Sequence, residues 1–180
     1  MIARGNGIFR FLPKTTQTRK QFVYWVLLAI GVGGALALGA TLVGLYMIRA
    51  ATPDRDELRL GLEDGRLAPC PHVPNCVSTQ VSPENDAHRV EPISYRTSRS
   101  RLMEQLAHFV EDELRGTLVA QNQGYLHAEI RSRFFGFVDD LELFAPEGEG
   151  ELHLRSASRV GYGDMGVNRK RYLRVRRFVE

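Results

Sequence analysis

Residues 22–48 form a run of 27 residues without one charged side chain, FVYWVLLAIGVGGALALGATLVGLYMI. As a helix rising about 1.5 Å per residue, the run reaches about 40 Å. A bilayer core takes about 20 residues, so the segment is long enough to span, with tilt or with its ends in the interface. Tyr24 and Trp25 at one end and Tyr46 at the other stand where aromatic belts meet a membrane surface. Small residues at 35–40 offer cleavage sites, but a signal h-region runs only about 7–15 residues, and this run continues through Thr41 to Ile48. The expectation is an uncleaved anchor. Arg4, Arg10, Lys14, Arg19 and Lys20 precede it with no acid among them, whereas acids are mixed with the arginines that follow. The positive-inside rule then puts the N-terminus in the cytoplasm and the rest outside. In a double-membrane bacterium this means the inner (cytoplasmic) membrane, with a periplasmic domain. Gly31, Ala35 and Gly39 recur every four residues, as do Ala40 and Gly44. Such spacing lets another membrane helix approach closely, although small residues are common in membrane helices generally.

The chain's net charge of +3 points weakly to nucleic acid, and the distribution of charge removes that pointer. The basic surplus sits in the N-terminal tail, whereas a nucleic-acid domain carries its basic face within the fold. Residues 49–154 hold 11 basic and 19 acidic side chains, and 155–180 hold 8 and 2. Either these two parts pair with each other inside one domain, or the C-terminal part presents an anion-binding surface. A hydrophobic share of 43% with 25% charged residues excludes a disordered chain.

The organisation read from this pattern is a basic cytoplasmic tail (1–21), a transmembrane helix (22–48), a polar linker (49–66) and an extracytoplasmic α+β domain (67–180). The domain opens on Cys70-Pro-His-Val-Pro-Asn-Cys76. Two cysteines on the oxidising side of a membrane read first as a disulfide. Metal binding with His72 as a third ligand is the runner-up, against the four ligands and tighter spacing of structural zinc. A redox pair would more often be Cys-x-x-Cys. No metal or cofactor is assigned. Ser98 or Ser100 can cap a helix with Leu102, Leu106, Phe109, Val110 and Leu114 on one stripe, and Gly116 is expected to stop it. Strands follow at 117–121, 125–131, 134–144 and 151–159, joined by short turns, and a short basic helix covers 168–178. The last three strands read as an antiparallel meander, covered on its apolar face by the amphipathic helix, which makes an α+β layer.

The polar positions of those strands line up as rows: Glu129 and Arg131, then Asp140 and Glu142, then His153, Arg155 and Arg159. Facing opposite charges make a stabilising ladder or a polar cleft of carboxylates and arginines. Gly161-Tyr-Gly-Asp-Met-Gly166 has the outline of a dinucleotide loop, but it lacks the βαβ unit and the distal acid such a loop needs. What survives is a Gly-rich turn feeding Asn168 as a cap, followed by Arg169-Lys170-Arg171, able to hold an anion. Arg159 and Arg169 are expected at a common spot, either Asp139 or a bound anion. No G-x-S-x-G, H-E-x-x-H or P-loop occurs.

Three blocks carry a family resemblance: Cys-Pro-x-x-Pro-Asn-Cys-Val-Ser at 70–78, with His88 and Pro92; Arg-Ser-Arg-Phe-Phe-Gly-Phe-Val-Asp-Asp-Leu-Glu at 131–142; and Arg-Ser-Ala-Ser-Arg-Val-Gly-Tyr-Gly-Asp-Met-Gly-Val-Asn-Arg at 155–169. From about Leu67 onward the chain resembles the uncharacterised family catalogued as domain of unknown function 1499. The resemblance marks Arg131, Asp139, Asp140, Arg155, Ser156, Ser158, Arg159, Asp164, Asn168 and Arg169, and implies no activity. The functional expectation is a single-pass binding or accessory module of a membrane complex. Its partners would be the lipid bilayer, other membrane subunits through Gly31, Ala35 and Gly39, and an anionic ligand, with no nucleic acid. The alternative is a membrane-tethered enzyme acting on an anionic lipid or envelope precursor. There Arg131, Arg155, Arg159 and Arg169 would clamp the anion, and Asp139, Asp140 or His88 would transfer protons.

Overall fold

A computed structural model of the protein describes residues 16–180 apart from 51, 83, 123 and 134, so the basic tail lies outside the described residues as far as position 15. The chain forms two compact units, one ending at Tyr46 and the other comprising Met47–Glu180. The first holds most of helix α1, Thr16–Ala50, whose last residues fall in the second. The helical stretch Arg19–Met47, whose most apolar 18 residues have a mean hydropathy of 2.3, is long and apolar enough to cross a membrane. Thr41 Oγ1 donates to Ala37 O at 2.8 Å, so its hydroxyl is satisfied within the helix.

The second unit is a mixed α+β fold. A 3-10 turn (Arg55–Glu57) and a small hairpin of β1 (Leu62–Glu63) and β2 (Arg66–Leu67) lead to β3 (Cys76–Ser78), β4 (Ile93–Ser94) and α2 (Arg99–Asp112). Then β5 (Gly116–Asn122), β6 (Tyr125–Arg131), β7 (Val138–Phe144) and β8 (Glu151–Ser158) run as an antiparallel meander, and α3 (Val167–Val179) ends the chain. The sheet order is β3-β8-β7-β6-β5, with β4 also on β8. β7 starts later than the pattern suggested. Ser132 N donates to Phe137 O and Phe137 N to Ser132 Oγ, closing residues 132–137 into a loop instead of extending the strand.

Strand alternation sorts the side chains by face. Leu126, Ala128, Leu141, Leu143, Leu152 and Leu154 are fully buried on one face. α2 packs there through Leu102, Met103, Leu106 and Val110, and α3 through Tyr172 and Val175. The rings of Phe109 and Phe178 stack with centroids 4.3 Å apart, joining the two helices. Ser98 caps α2 by accepting from Arg101 N at 3.4 Å. The helix ends at Asp112, and the left-handed residue after it is Arg115 (φ 55), not Gly116. Gly116 is needed for space: a Cβ there would sit 2.8 Å from Val110 Cγ1.

The opposite face is polar yet also buried. Part of its cover is the stretch 49–66 that the sequence suggests is a linker. Arg55 Nη2 donates to Glu129 Oε1 at 3.0 Å, and Gly61 N to Glu142 Oε1 at 2.7 Å. At φ 94, Gly61 suits this close approach of backbone to carboxylate. The sequence showed no sustained stripe here because these contacts run through one guanidinium and one backbone amide.

Cys70 and Cys76 are bonded as a disulfide. It closes a short loop on which Pro71 and Pro74 limit the backbone further.

Gly124, in the turn before β6, lies at φ 91, and a Cβ there would collide with the Arg99 guanidinium. Gly148 lies at φ 82 with open space around it. Gly124→Ala should cost about 1–3 kcal/mol through backbone strain together with displacement of Arg99. Gly148→Ala should carry the backbone part alone and cost less. Chemical denaturation of the full chain, followed by the circular dichroism of the sheet, checks this. Equal losses for the two variants would remove the Arg99 contact from the account.

Candidate functional site

The register of the meander builds the polar face. Glu142 is opposite Arg155 and His127, and Asp140 is opposite Glu129. Glu142 is fully buried. Its Oε1 accepts from Tyr125 Oη (2.8 Å) and Gly61 N (2.7 Å), and its Oε2 from Arg155 Nη1 (2.8 Å). Burial, and then the adjacent Glu142 carboxylate, push the Tyr125 hydroxyl's pKa far up, so it remains a donor. Arg159 closes the neighbouring cluster. Its Nε donates to Asp140 Oδ2 and its Nη2 to Asp140 Oδ1, both at 2.8 Å, and Nη2 also reaches Glu129 Oε1 at 2.7 Å. His127 Nε2 donates to Asp140 Oδ1 at 2.8 Å. Arg131 Nη2 reaches Glu129 Oε2 at 3.0 Å with most of its side chain in solvent.

These contacts set the ionisation of the layer. Burial works against the Asp140 charge, but the hydrogen bonds from Arg159 and His127 outweigh it and hold the carboxyl at about 2. Burial likewise opposes the Glu129 charge, and Arg159 and Arg55 bring its pKa below the usual value. Arg159 holds its proton more tightly than an ordinary guanidinium, first through the hydrogen bond to Asp140.

The helix-covered face carries a second network. Arg171 Nη2 reaches Asp139 Oδ2 at 2.7 Å, and its Nη1 reaches Ser156 Oγ at 2.7 Å and also Asn168 Oδ1. Asn168, fully buried, accepts from Ser156 Oγ at 2.6 Å and donates from Nδ2 to Asn75 O (2.9 Å) and Ser158 Oγ (3.1 Å). Asn75 Nδ2 in turn donates to Gly161 O at 2.8 Å. α3, β8 and the disulfide loop are thereby tied together.

The expected site residues therefore divide. Asp140, Arg155 and Arg159 share the polar face, with Arg131 at its rim. Asp139 and Asn168 lie on the other face. The expected meeting of Arg159 and Arg169 does not form. The buried stripe of α3 is Asn168, Arg171, Tyr172 and Val175; one residue on from Asn168, Arg169 turns out to solvent and donates to Ala87 O at 3.1 Å. Arg171 takes Asp139 instead. Nor does Asn168 cap the helix. The Asp164 carboxylate accepts from Gly166 N (2.9 Å) and Asn168 N (2.7 Å), which frees the Asn168 side chain for the core. His88 is buried, with Nδ1 2.9 Å from Cys76 O, and fixes the strand that carries the disulfide. His127 and Asn75 are central here without having been singled out from the sequence, and Glu142 and Arg171, expected in the charged rows and the basic run, each hold a buried partner. Glu142 had a signal in its register with Arg155, and Asn75 in its place inside the cysteine motif.

A cavity of about 430 Å³ opens beside this layer, lined by Leu58, Leu60, Pro71, Val73 and Val160 together with Asn75, Asp140, Arg155 and Arg159. Two of these residues hold a buried polar atom with no hydrogen-bond partner among the described residues, Asn75 Oδ1 and Arg155 Nε. Among the described residues there is no group of three or more histidines, cysteines or acids placed to hold a metal ion.

The folded-state pKa of Asp140 is depressed from an ordinary 3.8 to about 2. Its stabilisation, about 2 kcal/mol, is complete above pH 4 and is lost as pH falls through 2. Asp140→Asn should flatten the pH dependence of unfolding over that interval, and an unchanged profile would contradict the assignment. Arg159→Ala removes the guanidinium that Asp140 and Glu129 share and should cost about 3–5 kcal/mol, read as a lowered denaturation midpoint.

No curated protein and no solved structure matches the chain. The family described as Protein of unknown function (DUF1499) matches over residues 66–178. The three sequence blocks meet where the disulfide loop, the β6–β7 loop and the β8–α3 loop leave neighbouring strand ends, within that matched span. The chain belongs to the family described as Protein of unknown function (DUF1499).

Proposed function

We propose that the protein is a single-pass membrane protein of the inner membrane, with its N-terminus in the cytoplasm. Its extracytoplasmic domain serves as a binding or accessory module of an envelope complex. The observation that carries this reading is the cavity beside the ion-paired layer. Its floor is rigid, because Asp140, Arg155 and Arg159 are each held by charged partners. Rigid polar groups beneath an apolar rim are a common design for recognition. The unpartnered Arg155 Nε and Asn75 Oδ1 support it further. An orphaned buried group costs about 1–3 kcal/mol. An anionic or carbonyl group that also carries a donor would satisfy both.

The enzymatic alternative draws on Asp140, which lines the cavity. Both of its oxygens are already engaged by Arg159 and His127, and the low pKa leaves it a poor base at neutral pH. Recognition therefore accounts for more of the arrangement than proton transfer does.

Two measurements test the proposal. A reporter active only outside the cytoplasm, fused after Glu180, should be active; activity of a cytoplasm-only reporter at the same point would reverse the orientation. Val160→Trp should fill the cavity. Affinity purification from solubilised membranes should then lose a companion that the wild-type chain retains, with the denaturation midpoint unchanged. An identical set of companions for both chains would count against the cavity.

A further inference from the structure

The domain exposes apolar side chains at one end in a way that its core does not require. Phe135 is 52% exposed, Tyr162 78%, Met165 95% and Val167 43%. The first lies on the loop from β6 to β7, and the other three lie along the connection from β8 into the start of α3. The two segments leave adjacent strand ends: Asp139 pairs with Ser158, and Arg159 N donates to Val138 O at 3.0 Å.

Both segments are fixed in place. The first is closed by the paired bonds between Ser132 and Phe137 and by stacking of Phe135 on Phe137, with centroids 5.6 Å apart. The second is pinned by the Asp164 carboxylate and by Asn75 on Gly161 O. Met165 is in the left-handed region at φ 54, an unfavourable conformation for a residue with a side chain. The most exposed apolar side chain of the domain is thus presented to water at a backbone cost. Arg133 and Lys170 flank the patch, both exposed, and neither has an ion-pair partner among the described residues.

Aromatic and aliphatic side chains interleaved with unpaired cations suit the headgroup zone of a membrane, where rings sit at the interface and Lys or Arg meets anionic lipid. Four apolar side chains on two loops are few for a stable protein interface, which takes about 20–30 residues a side. The same chain carries α1, so wherever α1 is inserted a bilayer surface is at hand.

We propose that Phe135, Tyr162, Met165 and Val167, with Arg133 and Lys170, dock onto the interfacial zone of an anionic phospholipid bilayer. The inference rests on α1 spanning that bilayer. Its test uses the full chain in nanodiscs of phosphatidylcholine with phosphatidylglycerol, and in nanodiscs of phosphatidylcholine alone. A benzophenone amino acid is placed singly at 162, at 165, at 36 within α1, or at 104 on the exposed side of α2. Irradiation should give lipid adducts at 36, 162 and 165, with the last two several-fold above 104. The adducts at 162 and 165 should fall several-fold in Arg133→Glu/Lys170→Glu and in phosphatidylcholine alone, while that at 36 persists. An adduct at 36 with none at 162 or 165 would overturn the docking and leave the anchor standing. No adduct at 36 would overturn both. A covalent dimer through 162 or 165 would assign the patch to a second copy of the chain and overturn the membrane as its partner.

Discussion

A fully buried carboxylate governs the architecture of this domain. Glu142 has no solvent contact and three donors: a phenol, a guanidinium and a backbone amide. Placing a carboxylate in a dry interior costs several kcal/mol unless donors replace its water. Each donor comes from a different part of the chain, β6, β8 and the stretch before β1. The charge therefore demands that these three parts be in place together. The same logic spreads along the face, where Asp140 and Glu129 are compensated by one shared guanidinium from Arg159. A layer that in a half-solvated antiparallel sheet would meet water is thus enclosed, and the stretch before β1 is part of what encloses it.

The other face meets the ordinary requirement of an apolar core but has one polar seam. Asp139 points among the leucines because strand alternation puts it there. Arg171 reaches it from the buried stripe of α3. Asn168 then extends the seam to Ser156, Ser158 and Asn75, so the position of α3 is set by directional bonds as well as by Tyr172 and Val175. Apolar packing tolerates small slides of a helix, whereas an asparagine with both ends engaged does not. This is the physical content of the third sequence block: Asp164 holds the start of α3, and Ser156, Ser158 and Asn168 fix it against the sheet.

The sequence made the meander legible because β6 and β8 alternate cleanly, and α2 because its cap and stripe agree. The facing of Glu142 and Arg155 was legible too, since both follow from alternation once the turn between the strands is recognised. β3 was not. It has three residues, no period to read, and a partner about eighty positions away in β8. The fate of Arg159 and Arg169 was not legible either, because it depends on which residues of α3 turn inward. Asn168 begins the buried stripe of α3, and one residue further along the helix Arg169 is turned outward. Asp164 fixes the start of α3 by accepting from Gly166 N and Asn168 N, while the N-cap position itself is Gly166. The role of the stretch 49–66 escaped for a different reason: a backbone amide donor leaves no trace in side-chain pattern.

The opposed charges of the two parts of the domain resolve residue by residue. Of the arginines after position 154, Arg155, Arg159 and Arg171 enter the fold and neutralise Glu142, Asp140, Glu129 and Asp139. For these three, internal pairing accounts for the charge completely. Arg169, Lys170, Arg174, Arg176 and Arg177 are exposed along α3 instead, and of these Arg174 and Arg176 have carboxylate partners among the described residues, Glu113 at 3.8 Å and Glu180 at 2.8 Å. The C-terminal surplus is therefore two populations with different work. One is buried and fixed by geometry, so that a change there acts on folding. The other is solvated, with contacts to backbone carbonyls and exposed carboxylates, so that a change there acts on what the surface attracts. Arg155 and Lys170 carry the same formal charge fifteen positions apart, and only the direction in which the backbone turns each of them decides which population it joins.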